Sequence, residues 1–284
     1  LEPISQRIYV SAGYPTGGPQ PSDQTGIWAS DDRGANWAKI SASEPALSGT
    51  GINFLVPNGP NTLFVAAEGG GVYRGTLSGG TWSWGGAAVL GLPQVSGLAI
   101  SPLDSSLVYA FSGQLCCFGD SELSQPRAGI WKSTNGGDTW EAISGDLTRH
   151  DPKTFGDSGG PITHDMNSPE IYGTVFSLAP GKKDVNIIWA GSDDGYIQVT
   201  RDGGKNWTNV TPPDMPDLGR VSQIDGSSFD NGTAYVAVKK MLLGDRSPYI
   251  FRTKDFGKTW TKIVNGIPAN DYVHTVREDP VRRG

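Results

Sequence analysis

Four segments of this chain can be laid over one another without a gap: Ser30-Asp-Asp-Arg-Gly-Ala-Asn-Trp37, Ser133-Thr-Asn-Gly-Gly-Asp-Thr-Trp140, Thr200-Arg-Asp-Gly-Gly-Lys-Asn-Trp207 and Thr253-Lys-Asp-Phe-Gly-Lys-Thr-Trp260. Their common frame is Ser/Thr-x-Asp/Asn-x-Gly-x-x-Trp. A worn fifth copy, Gly79-Gly-Thr-Trp82, keeps the glycine and the tryptophan. Such a repeat constrains the fold strongly, because each copy must belong to one small module that buries its apolar face against the next. Each position has a physical task. Asp32, Asn135, Asp202 and Asp255 cap the amides of a tight turn, and the glycine adopts a backbone shape other residues resist. Trp37, Trp140, Trp207 and Trp260 pack between neighbouring sheets. All eight are expected to be structural and to lie on an outer rim, in separate modules.

The sequence around each turn also repeats. Before it come a β-rich run (Arg7–Val10, Thr62–Val65, Leu107–Ala110, Ile187–Ala190 or Thr233–Val236) and a strand leading into the turn (Gly26–Trp28, Gly71–Tyr73, Gly129–Trp131, Gly195–Ile197 or Tyr249–Phe251). A third strand leaves with the tryptophan. An inner strand precedes the set at Ile52–Val56, Val95–Ile100, Gly173–Leu178 and Val221–Ile224. Four strands per module make the blade of a β-propeller. Tryptophans at 37, 82, 140, 207 and 260 count five modules. The expectation is an all-β, single-domain propeller over 1–284, with blades near 1–44 plus 273–284, 45–90, 91–146, 170–213 and 218–266. The first module has no inner strand of its own, and Val273-His-Thr-Val-Arg277 has no outer strands after it. Pairing 273–277 with the first blade would close a five-bladed ring and hide its edges; the rival is a piece of a larger propeller.

Composition enters as a filter on function. Glycine, at 40 of 284 residues, has about twice its usual share, as short strands and tight turns require. No run approaches 18 apolar residues, so no membrane-spanning helix is expected, although a membrane-attached assembly stays open. A net charge of −6 argues against a nucleic-acid partner. Cys116 and Cys117 are adjacent and cannot staple distant parts of the chain. No cofactor motif occurs, and none is expected. His150 and His164 are 14 residues apart, which matches no metal signature; His274 lies on the expected closing strand.

The four turns resemble the Asp-box, or BNR, repeats of sialidases, sortilin-type receptor domains, xyloglucan-active endoglucanases and photosystem II assembly propellers. The second half is most similar to bacterial sortilin-like BNR-repeat proteins often labelled glycosyl hydrolases. That likeness is carried by Ser158-Gly-Gly-Pro-Ile-Thr163, Trp189-Ala-Gly-Ser-Asp-Asp-Gly195, Lys258–Pro268 and Val276–Gly284. It implies a propeller, while the Asp-box itself occurs in enzymes and non-enzymes alike.

A site is expected where long connections gather. Loops 13–26, 113–129, 144–173 and 239–249 fall on one face of the expected propeller, and connections so long tend to be functional. That face offers Tyr14, Phe118, Arg149, His150, Phe155, His164, Tyr172 and Arg246 as binding residues. Gly156-Asp-Ser-Gly-Gly-Pro161 copies a serine-protease hexapeptide, but no distant histidine segment accompanies it. A glycosidase needs two carboxylates across the bond; the candidates are Asp193, Asp194, Asp225 and Asp279, with Glu68 and Glu278 nearby. The Phe/Tyr-Arg-Ile-Pro segment of a sialidase is absent, and the arginines do not recur at equivalent strand positions. The leading expectation is a non-catalytic, extracytoplasmic (periplasmic or secreted) platform that binds a protein partner or glycan through the long-loop face. The alternative is a carbohydrate-active hydrolase.

Overall fold

A computed structural model describes residues 7–12, 25–47, 51–67, 71–89, 95–112, 129–154 and 172–283. The described chain is all-β. β1 (Ile8–Ala12), β2 (Gly26–Ser30) and β3 (Ala38–Lys39) form a three-stranded antiparallel sheet in chain order. Four four-stranded sheets follow. The second holds β4 (Ile52–Pro57), β5 (Thr62–Ala67), β6 (Gly71–Ser78) and β7 (Thr81–Val89). The third holds β8 (Gly97–Ile100), β9 (Val108–Ser112), β10 (Gly129–Ser133) and β11 (Glu141–Ala142). The fourth is built from β12 (Val175–Pro180), β13 (Ile188–Ser192), β14 (Ile197–Thr200) and β15 (Thr208–Asn209). The fifth is built from β16 (Arg220–Gly226), β17 (Ala234–Lys240), β18 (Asp245–Thr253) and β19 (Thr261–Lys262). The first strands of these sheets neighbour one another in sequence order, β1 with β4, β4 with β8, β8 with β12 and β12 with β16.

The cores lie between sheets. Leu63, Val65 and Ala67 of the second sheet pack on Ile27, Ile40 and Leu47 of the first. Val221 and Ile224 pack on Trp189, Ile197 and Val199 in the same way between the fifth and fourth. The second strand of each four-stranded sheet is buried along nearly its whole length, which is why it reads as continuous Val/Ile/Ala/aromatic sequence without alternation.

The Asp-box turns clamp this stack. Ser30 Oγ accepts from Gly34 N at 2.7 Å, and Asp32 Oδ1 accepts from Asn36 N at 2.8 Å. The same two bonds recur at Ser133/Asn135, Thr200/Asp202 and Thr253/Asp255. The glycine sits at φ +92°, +104° and +79° in the last three turns. A Cβ there would strike the preceding sheet: Phe64 at 2.8 Å from Gly137, Ile143 at 2.7 Å from Gly204 and Val210 at 2.5 Å from Gly257. Two of the tryptophans complete the clamp, whereas Trp37 is 42% exposed and Trp140 donates to Gly137 O in its own turn. Trp207 Nε1 donates to Ile143 O at 2.9 Å, and Trp260 Nε1 to Val210 O at 2.6 Å.

Three expectations need correction. In the worn copy the clamp is Trp84, whose Nε1 donates to Ile40 O at 2.8 Å; Trp82 instead stacks on Trp84 and meets Tyr9 edge-on. Gly79 and Gly80 simply form the two-residue hairpin between β6 and β7, both at positive φ, as such turns require. Secondly, 239–249 is not a long loop. β17 and β18 run on as a hairpin, closed by the short 3-10 turn Met241–Leu243 with Gly244 in the left-handed region. Thirdly, 273–277 forms no strand, and the first sheet keeps three strands. The segment lies along β16 instead, where Ser222 Oγ donates to His274 O at 2.7 Å and Glu278 N to Asp225 Oδ2 at 3.0 Å. A buried carboxylate needs charge and N–H partners, and this segment supplies both to Asp225.

Candidate functional site

Three of the four inner strands carry a β-bulge at the same level. The extra residue is Asn53 in β4, Phe176 in β12 and Ser222 in β16. Bulges re-aim side chains, and all three residues line one cavity of about 880 Å³ walled by β4, β8, β12 and β16. The volume suits a small ligand. Phe54 and Phe176 line it while each stays 41% exposed, so their rings face the open space. Lys182, Asp193, Arg220, Asp225 and Arg277 supply its charged groups.

Asp193 sits in the turn from β13 to β14 and is buried. Its Oδ1 accepts from Gly173 N at 3.0 Å and Thr174 N at 2.8 Å. Burial nevertheless dominates and pushes its carboxyl up to about 7; the two amides oppose the shift, and the Asp194 charge adds to it. Asp225, equally buried, is answered differently. Oδ1 receives Arg277 at 2.9 Å and Lys182 at 3.0 Å, and Oδ2 takes the Glu278 amide. One cavity therefore holds a carboxyl that burial raises toward neutral pH and another bound by two cations, the first of which suits an acid role.

The remaining acidic candidates do other work. Asp194 is buried beside Asp193 but does not line the cavity: Oδ1 takes the Ser192 hydroxyl and Oδ2 the Arg149 amide at 2.8 Å. Burial raises its carboxyl, against the Ser192 bond. Asp279 is exposed and caps Val281 N and Arg282 N, which lower it. Glu278 accepts from Ser227 Oγ, Ser228 N and Tyr235 Oη. Glu68 lies outside the described residues.

Of the proposed binding face, Tyr14, Phe118, Phe155 and His164 also lie outside the described residues, with most of the loops that carry them. Arg149 pairs with Asp217 and stacks on Tyr196. His150, at φ +49°, holds Asp146 at 2.8 Å. Tyr172 borders a small crevice with Leu218, Arg220 and Lys239, and burial raises its hydroxyl. Arg246 stacks over Tyr272 at 5.5 Å. The structure thus brings Asp193 and Asp225 to one cavity and leaves Arg149, His150, Tyr172 and Arg246 outside its lining. Sequence reasoning missed Phe176, Arg220, Lys182 and Asn53. Strand alternation does not announce a bulge, and no motif marks these residues.

Comparison with known proteins agrees with this architecture. The family model of the BNR-Asp box repeat matches residues 250–263, which include the fourth turn. A curated xyloglucanase of a Paenibacillus species is 26% identical over 298 residues, covering 95% of this chain and 26% of that protein. The chain therefore spans about a quarter of the length of this curated relative. The crystal structure of an ancestral GH74 enzyme superposes with a TM-score of 0.62 at 18% identity, covering 96% of this chain and 33% of that one. YCF48 from Cyanidioschyzon merolae gives a TM-score of 0.47 at 16% identity, over 84% of this chain and 66% of that one. The chain has a β-propeller fold and carries a match to the BNR-Asp box repeat at residues 250–263.

Proposed function

We propose that the chain is part of a carbohydrate-active propeller, and that the cavity between its inner strands takes a glycan for hydrolysis, with Asp193 as the acid. The observation that carries this reading is the contrast inside the cavity: a buried carboxyl raised to about 7 beside one clamped by Lys182 and Arg277. A general acid must hold its proton near working pH, and burial is the usual means. The exposed rings of Phe54 and Phe176 suit the apolar faces of sugars. The similarity to a xyloglucanase and to an ancestral GH74 enzyme supports the same class.

A second reading, a non-catalytic glycan-binding platform, draws on one observation. Both oxygens of Asp225 are taken by Lys182, Arg277 and the Glu278 amide, which leaves a catalytic base poorly placed to act. Reducing-end release from xyloglucan and other polysaccharides, measured beside equilibrium binding, separates the two. Release by the native chain that is abolished in an Asp193→Asn variant at least as stable as the native chain supports the hydrolase. Binding without release transfers the conclusion to the platform, and neither binding nor release overturns both.

A further inference from the structure

Three basic side chains line the cavity with two carboxylates, in a chain whose net charge is −6. Lys182 and Arg277 share one oxygen of Asp225. Arg220 differs. Among the described residues it forms no ion pair, and its Nε is buried with no hydrogen-bond partner. Its guanidinium lies 4.9 Å from the Phe176 ring centroid. Lys239, on the neighbouring strand, is held below the ordinary lysine range by burial and then by the charge of Arg220, so positive charge here is crowded, with Asp193 a carboxylate in electrostatic reach of Arg220.

A buried donor without an acceptor is costly and rare. Asp193 does not answer it: the bonds it accepts come from the Gly173 and Thr174 amides. A guanidinium stacked on an aromatic face keeps its edge available for a planar, bidentate acceptor. We propose that the glycan received in this cavity is acidic, a uronate-type sugar whose carboxylate seats on Arg220. Lys182 and Arg277 hold the surrounding potential positive, and the apolar wall that includes Phe54 takes the uncharged part of the sugar. Arg220 is thereby a specificity residue. This assignment rests on the glycan reading above and adds the charge of the ligand to it.

The test uses three probes: trigalacturonate, its fully methyl-esterified form, and citrate as a small non-sugar anion. Calorimetric titration of the whole chain at low ionic strength should show trigalacturonate binding at least tenfold more tightly than the ester. Citrate should bind weakly. Raising salt should erode the preference, and Arg220→Gln should abolish it. Equal affinity for acid and ester overturns the acidic preference but leaves the glycan reading intact. Equal affinity for citrate and trigalacturonate overturns the sugar assignment and leaves only an anion site. Should Arg220→Gln fail to fold, the salt dependence of the native protein decides: affinity for trigalacturonate that ignores salt overturns the proposal.

Discussion

Asp193 and Asp202 stand at opposite ends of β14, yet they obey opposite rules. Asp202 is only partly covered, on the rim. The Asn206 side chain and amide and the Thr200 hydroxyl donate to it, and together they lower its carboxyl to about 2. Asp193 is buried at the cavity wall, where desolvation outweighs its two amide partners and raises it to about 7. Both accept backbone N–H bonds, so hydrogen bonding alone does not decide the outcome; solvent access does. A carboxylate in a solvated turn fastens the fold. The same group under the sheet is held uncharged at a cost in stability once it ionises, and it becomes available for proton chemistry.

The largest effect should come from reversing that cost. With a folded value near 7 against an ordinary 3.8, the folded state binds the extra proton between those limits. Stability therefore falls as pH rises from about 4 to 7, and it is flat above. Three units correspond to at most about 4 kcal/mol. Asp193→Asn keeps an acceptor for Gly173 N and Thr174 N without the charge. The variant should match the native chain at pH 4.5 and exceed it at pH 8, as measured by urea titration at both. Equal stability at pH 8 would mean that water reaches the carboxylate, and it would remove the physical basis for an acid at this position.

The rim should respond to shape more than to charge. Gly204 combines φ +104° with a Cβ position 2.7 Å from the Ile143 Cβ on the preceding sheet. Gly204→Ala should cost about 3 kcal/mol through strain and overpacking, without pH dependence. Gly34, at φ +93°, meets only the ring of Trp37 at 3.6 Å, so Gly34→Ala should cost clearly less. Identical losses in denaturant melts would show that backbone strain alone governs the turn and that contact between sheets does not.

These contrasts mark what could be read in the sequence. The repeat was legible because its parts are local: a hydroxyl, a carboxylate or amide, a glycine and a tryptophan within eight residues satisfy one another. The four strands per sheet followed from the apolar runs between turns. The cavity was half legible, since Asp193 and Asp225 stood out as carboxylates flanking inner strands. The bulges that expose Asn53, Phe176 and Ser222 did not, because a one-residue register shift leaves no trace in alternation. The place of 273–277 depends on satisfying Asp225 across the fold, a tertiary demand that β propensity cannot register.

A smaller effect separates tryptophans that bridge sheets from one that does not. Trp260→Phe removes the donor to Val210 O and leaves that carbonyl short of a partner, at about 2 kcal/mol. Trp37 is 42% exposed and makes no such bond among the described residues, so Trp37→Phe should fall within about 0.5 kcal/mol of the native chain. Thermal melts of both variants check this. A comparable loss at Trp37 would place a partner over it.

The smallest expected change lies in the choice of Asp or Asn as the cap. Because Asp202 is held near 2, below its ordinary 3.8, its contribution is present above about pH 4 and is lost as pH falls toward 2. The turn at Ser133–Trp140 makes the same backbone bond with an uncharged amide: Asn135 Oδ1 accepts from Thr139 N at 2.9 Å, and its Nδ2 donates to Thr139 Oγ1 at 2.9 Å. Asp202→Asn alone would set its amide against that of Asn206, which now donates to Oδ2 at 2.7 Å. Asp202→Asn combined with Asn206→Thr instead recreates the Asn135/Thr139 pair. The double variant should melt close to the native chain at pH 7 and lose less on acidification to pH 3. Glycan binding, a property of the other end of β14, should be the same in both proteins at pH 7. Lost binding in a double variant of native stability would move the functional face to the rim.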